Sequence, residues 1–255
     1  MNRGIYPILS GALAQERQIQ LFANNVANVN TAGFKQDAAL FRSLFARSGG
    51  LLAPPIHPAS VLDPMSPTWG GPAERVFVTA RDLRTGFEPG RLRMTGNPLD
   101  LAIQGSGFFE VSTPQGLRYT RNGIFHLDGQ RRLVTELGHP VMGTRGELRV
   151  REGNLQISPQ GKVYVNNEEI GAIKVMDFPD QQLQKIQDGL FVGVNPKLSK
   201  DATVQSGHIE ESNVNAISEM VKMMQGMRTY EAAQKLIQTF DRMTERAVED
   251  LGRVG

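Results

Sequence analysis

The spacing of apolar side chains along the chain predicts helix at both ends and strand between them. From Asn2 to about Asn30, the positions Ile5, Ile8, Ala12, Gln15, Ile19, Phe22, Val26 and Val29 recur at alternating steps of three and four. That is a heptad seam with one polar member. Pro7 falls in the first turn, where its missing N–H is tolerated. A second helical pattern runs from Val214 to about Leu251 through Met220, Met223, Met227, Tyr230, Ile237, Phe240, Ala247 and Leu251, with a gap at Ala233–Gln234. Ser212 or Asn213 is its expected N-cap. Between residues 76 and 207 the runs "VFVT", "LDLAIQ", "FFEVST", "RLVTEL", "NLQISP", "KVYVN", "AIKVMDF" and "LFVGV" are short and apolar or alternating. Turn signals separate them, among them Asn122–Gly123, Asp128–Gly129, Pro159–Gln160–Gly161 and Asn166–Asn167. This rhythm predicts an antiparallel sandwich or barrel-like domain.

The expected fold class is therefore α+β: a mainly antiparallel β domain flanked by long N- and C-terminal helices that pair as a coiled coil. The expected divisions are 1–41 for the N-terminal helix, 42–75 for a Pro/Gly-rich linker or arm, 76–207 for the β domain and 208–255 for the C-terminal helix. At 1.5 Å per residue the two helices would be about 42 and about 55 Å long. Pairing within one chain would leave about two turns of the second helix, and the outer faces of both, to bury against other copies. Met220, Met223, Met224, Met227 and Met243 suit such varied neighbours, because the thioether chain is flexible and polarizable.

The stretch "ANNVANVNTAGFK" places Asn24, Asn25, Asn28 and Asn30 beside this seam, although asparagine is a poor helix former. An uncharged amide both donates and accepts, so it is less costly to bury at a contact than a carboxylate. Thr31–Ala32–Gly33 is expected to end the helix, with Gly33 in the left-handed conformation. If the helices run antiparallel, Asn213 and Asn215 meet these amides beside the β domain. The expected subunit-interface residues of the first helix are Ile5, Ile8, Ile19, Phe22, Val26 and Val29, with Asn24, Asn25, Asn28, Asn30 and Gly33. Those of the second are Asn213, Val214, Asn215, Met220, Met224, Met227, Tyr230, Ile237 and Phe240.

Composition narrows the function classes. A formal charge of +2 over 255 residues, with no basic run, argues against nucleic acid as a partner. No apolar run approaches the length needed to span a bilayer, and the first 22 residues lack the pattern of a cleaved secretory signal. The absence of cysteine removes disulfide and thiolate chemistry; it suits a cytosolic protein, and equally one exported unfolded through a narrow channel. His57, His126, His139 and His208 show no metal-ligand spacing, and Ser106 lacks the Gly-x-Ser-x-Gly elbow. Asp177 and Asp180 flank a Phe–Pro turn. No catalytic constellation and no cofactor are expected. A monomeric polysaccharide-binding module would fit the β region but leave both amphipathic termini unexplained.

"NNVANVNTAGFK" resembles the amino-terminal motif of bacterial flagellar rod and hook proteins, the axial family. "GHIEESNVNAISEMVKMMQGMRTYEAAQKLIQTFDRM" resembles that family's carboxy-terminal motif, and "TGNPLDLAIQGSGFFEV" and "YTRNGIFHLDGQRRLVTELGHPVMG" its shared β domain. The segment "GAIKVMDFPDQQLQKIQDGLFVGV", with its short path to Ser212, is most similar to proximal rod members; a distal rod or hook subunit is the alternative. The resemblance implies a structural subunit, not an enzyme. It further implies export through the flagellar type III apparatus without a cleaved signal peptide, assembly with copies of itself and other rod proteins in the periplasmic part of the basal body, and termini that order on assembly.

Overall fold

The computed structural model describes residues 5–46, 75–153, 155–178, 183–199 and 201–252. His57, Trp69, Asp180 and most of segment 42–75 lie outside the described residues, as do the side chains of Ile5, Ala247 and Leu251. The chain forms two compact units. Residues 24–38 and 85–219 make a β unit; the other unit takes the described residues of 1–23, 39–84 and 220–255.

The β unit is organised around a six-stranded antiparallel sheet. Its order is Leu183–Lys185, Leu190–Gly193, Gly116–Thr120, Phe108–Thr113, Val175–Asp177 and Lys197–Leu198. Successive side chains of a strand point to opposite faces, and here both faces are covered. Phe109, Val111 and Val175 join one core cluster with Leu101, Leu133, Val141 and Val163. Their neighbours Phe108 and Met176 join a second with Tyr119, Phe178 and Phe191. The register makes this consistent, pairing Val175 with Phe109 and Met176 with Phe108. In the second cluster Tyr119 and Phe178 meet edge-on with centroids 4.6 Å apart, and Phe108 lies 5.2 Å from Phe191. A smaller antiparallel sheet comprises Leu155–Ile157, Lys162–Val165 and Glu168–Ala172. Asn166 (φ 51°) and Asn167 (φ 67°) turn its last hairpin, both left-handed as a type I′ turn requires.

Each of the eight apolar runs contributes a strand. Strands that the pattern does not announce, such as Gly116–Thr120 and Glu168–Ala172, carry glycine or charge at two and three of their five positions and take their place from partner strands.

The helices depart from expectation. Helix α1 spans Ile5–Ala27 and helix α2 spans Ala216–Gly252. After Ala27, the bonds from Val29 N to Val26 O and from Thr31 N to Asn28 O (both 3.2 Å) tighten the backbone into turns. The N-cap of α2 is Asn215 rather than Ser212 or Asn213: its Oδ1 accepts from Ser218 N at 3.1 Å.

The expected coiled coil of paired terminal helices is not formed. Its single seam on α2 splits: Met223, Tyr230 and Ile237 are half-buried, whereas Met220, Met227 and Phe240 are exposed. Among the described side chains after Glu219, only Gly226 is buried. The helices instead touch locally, where a Cβ on Gly226 would stand 3.0 Å from Ile19 Cγ1 and 3.1 Å from Gln15 Nε2. A coiled coil needs large knobs at every seam position. Here Gly11, Ala12 and Ala14, with Ile8, Gln15 and Gln18, line a cleft that Thr229 and Ala233 face, and the gap at Ala233–Gln234 breaks the repeat. Among the described residues no helix is long and apolar enough to cross a membrane.

Candidate functional site

Inside the β unit, the end of α1 and the start of α2 meet in a buried polar cluster. Asn25 is fully buried and hydrogen-bonded through its whole amide. Its Nδ2 donates to Asp37 O (2.9 Å) and to Glu219 Oε2 (3.0 Å), and its Oδ1 accepts from Asp37 N (3.1 Å). Glu219, also buried, accepts at Oε1 from Gln36 Nε2 (2.9 Å). The backbone N of Gln36 donates to Asn213 Oδ1 (2.7 Å), and Asn213 Nδ2 reaches the carbonyls of Gly86 (2.9 Å) and Glu88 (3.1 Å). One amide of each group, Asn25 and Asn213, is thus joined to the other through Glu219 and Gln36.

An ion triad adjoins this chain of bonds. Glu210 receives Lys35 Nζ at Oε1 (2.6 Å) and Arg121 at Oε2 (2.9 Å), with Gly90 N adding a third bond (2.8 Å). Side-chain exposure is 1%, 1% and 6% for Lys35, Glu210 and Arg121. Arg121 also donates to the carbonyls of Ile103 (3.0 Å) and Gly105 (2.6 Å), and Lys35 to that of Glu88 (2.8 Å). Burial holds the Lys35 ammonium below its ordinary pKa, opposed by the adjacent Glu210 carboxylate. Glu210 is the one carboxylate shared by two buried cations, so its removal would leave both without a counter-charge.

Gly33 completes the junction. Its N–H donates to Glu210 O at 2.7 Å, and its φ of 67° is left-handed. A Cβ there would collide with the backbone of Arg121 and Asn122. The glycine thus serves a close backbone approach several residues beyond the helix end.

The remaining expected residues are placed as follows. Asn24 and Asn30 are exposed; Asn28 is half-buried and bonds locally, its Nδ2 to Asn24 O (2.8 Å) and its Oδ1 to Thr31 (3.2 Å). Ile8, Ile19, Phe22, Val26 and Val29 are half-buried, Val214 is buried, and Ile5 lies in α1. On α2 the exposed apolar side chains form two strips. Ile217, Met220, Val221, Met224 and Met227 make the first; Leu236, Phe240 and Met243 make the second. At 3.6 residues per turn the strips lie about 130° apart around the axis, and neither coincides with the side that carries Gly226. The pattern reading did not single out Lys35, Arg121 and Glu210. Glu210 sits in a strand whose neighbouring residue Ile209 is also buried, so alternation carries no trace of the triad.

Comparison with known proteins accounts for all three regions. Residues 6–35 match the family described as "Flagella basal body rod protein", residues 102–165 the "Flagellar hook protein FlgE/F/G D1 domain", and residues 205–250 the "Flagellar basal body rod FlgEFG protein C-terminal". The chain is similar to the flagellar basal-body rod protein FlgF of Caulobacter vibrioides, with 33% identity over 267 aligned residues covering 100% of both chains. It is similar to FlgF of Escherichia coli at 31% identity over 97% of each chain, and to the rod protein FlgG of Borreliella burgdorferi at 31% over 95% of this chain and 96% of that one. End-to-end similarity at this level, with both terminal motifs matched in order, means that the chain belongs to the flagellar basal-body rod protein family.

Proposed function

We propose that this chain is a structural subunit of the flagellar basal-body rod, placed in its proximal part and polymerising through its terminal helices into the drive shaft that motility requires. The observation that carries this reading is the pair of exposed apolar strips on α2. A helix that is apolar on several sides belongs in the interior of something larger than one chain. Contact with more than one neighbour, copies of itself and other rod proteins, would cover both strips. Met220, Met224, Met227 and Phe240 are the proposed contacts on α2, and exposed Asn24 and Asn30 with half-buried Val26 and Val29 those near the end of α1. Delivery is proposed through the flagellar type III apparatus, without a cleaved signal peptide, to the periplasmic section of the basal body.

Similarity to the rod protein FlgG of Borreliella burgdorferi supports a second reading, another subunit type of the same family such as a distal rod subunit. The deciding experiment locates the tagged chain in purified basal bodies, alongside Met224→Asp and Phe240→Asp variants. Density at the base of the rod, with both variants exported but absent from basal bodies, is the expected result. Density in the distal rod would select the second reading, and normal basal bodies from both variants would overturn assembly through α2.

A further inference from the structure

Residues 28–36 include no helix or strand, yet Ala32, Gly33, Phe34 and Lys35 are all buried. What holds them is the polar junction. Gly33 N bonds to Glu210 O, Lys35 Nζ to Glu210 Oε1, and Gln36 N to Asn213 Oδ1. Asn213 N returns a bond to Phe34 O at 3.3 Å. Lys185 adds a further tie: its ammonium lies 3.6 Å from the centroid of the Phe34 ring and donates to Lys35 O (2.7 Å) and Asp37 Oδ2 (2.8 Å). Arg121 anchors Glu210 to the carbonyls of Ile103 and Gly105, and Ile103 belongs to the main core cluster. Every one of these contacts lies inside the β unit, which comprises residues 24–38 and 85–219.

We infer that Lys35, Glu210 and Arg121 form a clamp that folds both terminal motifs onto the β domain in the unassembled subunit. Of the two terminal helices, the part whose order depends on neighbours then lies before Asn24 and after Glu219. The clamp is a conformational device: it ends each free helix at a fixed, pre-organised root, so assembly need order only the helices themselves. Such pre-organisation reduces the conformational freedom lost on association. The inference concerns the free monomer and stands whether the chain occupies the proximal or the distal rod.

Hydrogen exchange on the purified full-length monomer tests it. The amides of Gly33, Gln36 and Asp37 should be protected together with those of the strand Phe108–Thr113, while α1 amides before Asn24 exchange as an unfolded chain does. Glu210→Ala leaves two buried cations without their shared anion, and should lower protection at residues 33–37 by about 100-fold or more. Should that variant loosen the strand Phe108–Thr113 equally, Lys35→Met decides, since it keeps the Arg121–Glu210 pair. Loss confined to residues 33–37 supports the clamp, and no loss overturns it. Unprotected amides at 33–37 in the wild-type monomer, beside a protected strand Phe108–Thr113, would overturn it outright. Rod assembly is not measured in this experiment, so its failure leaves the rod reading to its own test.

Discussion

The buried junction of the β unit and the outer surface of α2 use opposite chemistry. The junction hides Lys35, Glu210, Arg121, Glu219 and Asn25, groups that water would ordinarily solvate, and holds them with short hydrogen bonds. The α2 surface exposes Met224 (52%), Leu236 (52%) and Met243 (63%), groups that water would ordinarily expel. A buried charge tolerates only the geometry that neutralises it, so the junction is specified by a few directional contacts. An apolar strip accepts any complementary surface, and methionine in particular adapts to several. One chain thus combines a region held by directional contacts of its own with a helix surface that leaves large apolar side chains exposed.

The sharpest way to break this contrast is Glu210→Ala. Stranding Lys35 and Arg121 should lower the stability of the β unit by about 3–5 kcal/mol, read from urea unfolding followed by circular dichroism. A loss below about 1 kcal/mol would place the junction with ordinary surface polar groups. Gly33→Val comes next. A β-branched residue in the left-handed region costs about 1–3 kcal/mol before its collision with the Arg121 backbone is counted. Its melting temperature should fall and its basal bodies disappear while export remains measurable; swimming at the wild-type rate would refute the close approach.

A smaller effect separates the buried polar groups by pH. Burial, and then the neighbouring Glu110 carboxylate, raise the Tyr119 pKa above 10.0 in the folded protein. The folded state therefore retains this proton longer than the unfolded chain. Its contribution to stability is complete below pH 10.0 and is lost as pH rises from there through the raised value. Lys35, lowered by burial, contributes the opposite slope below 10.5. Comparison of Tyr119→Phe with the wild type isolates the tyrosine: the variant should lose less stability above pH 10, and parallel curves would remove Tyr119 from the account. The smallest expected change in stability belongs to Phe240→Asp, within about 0.5 kcal/mol because the site is exposed. Its expected consequence is the loss of completed basal bodies with an unchanged melting curve. A collapsed melting curve would show that α2 is part of a monomer's core.

Part of the junction was legible in residues 23–35 and 208–230, because motifs of amides, glycine and apolar spacing leave a mark on one-dimensional order. Asn25, Gly33 and Asn213 were singled out as subunit contacts, and each takes part instead in hydrogen bonds of the junction within the chain. Their individual fates were not legible. Asn24, Asn25, Asn28 and Asn30 are chemically identical, yet only Asn25 meets Glu219, from a position 194 residues away. The coiled coil was over-read for a related reason. Steps of three and four describe one face of an isolated helix, but which side α1 covers is decided by the close approach at Gly226.

By itself the sequence determined the helical ends, the eight apolar strand runs, the Asn166–Asn167 turn and the likeness to flagellar rod proteins, since each rests on neighbours within one element or one motif. The tertiary structure alone decided the clamp. Lys35 and Glu210 stand 175 residues apart, Arg121 and Glu210 89 apart, and a charge can be buried only where its counter-charge and carbonyl partners are brought to it. That meeting depends on how distant strands register, and no local pattern of hydrophobic and polar positions encodes it.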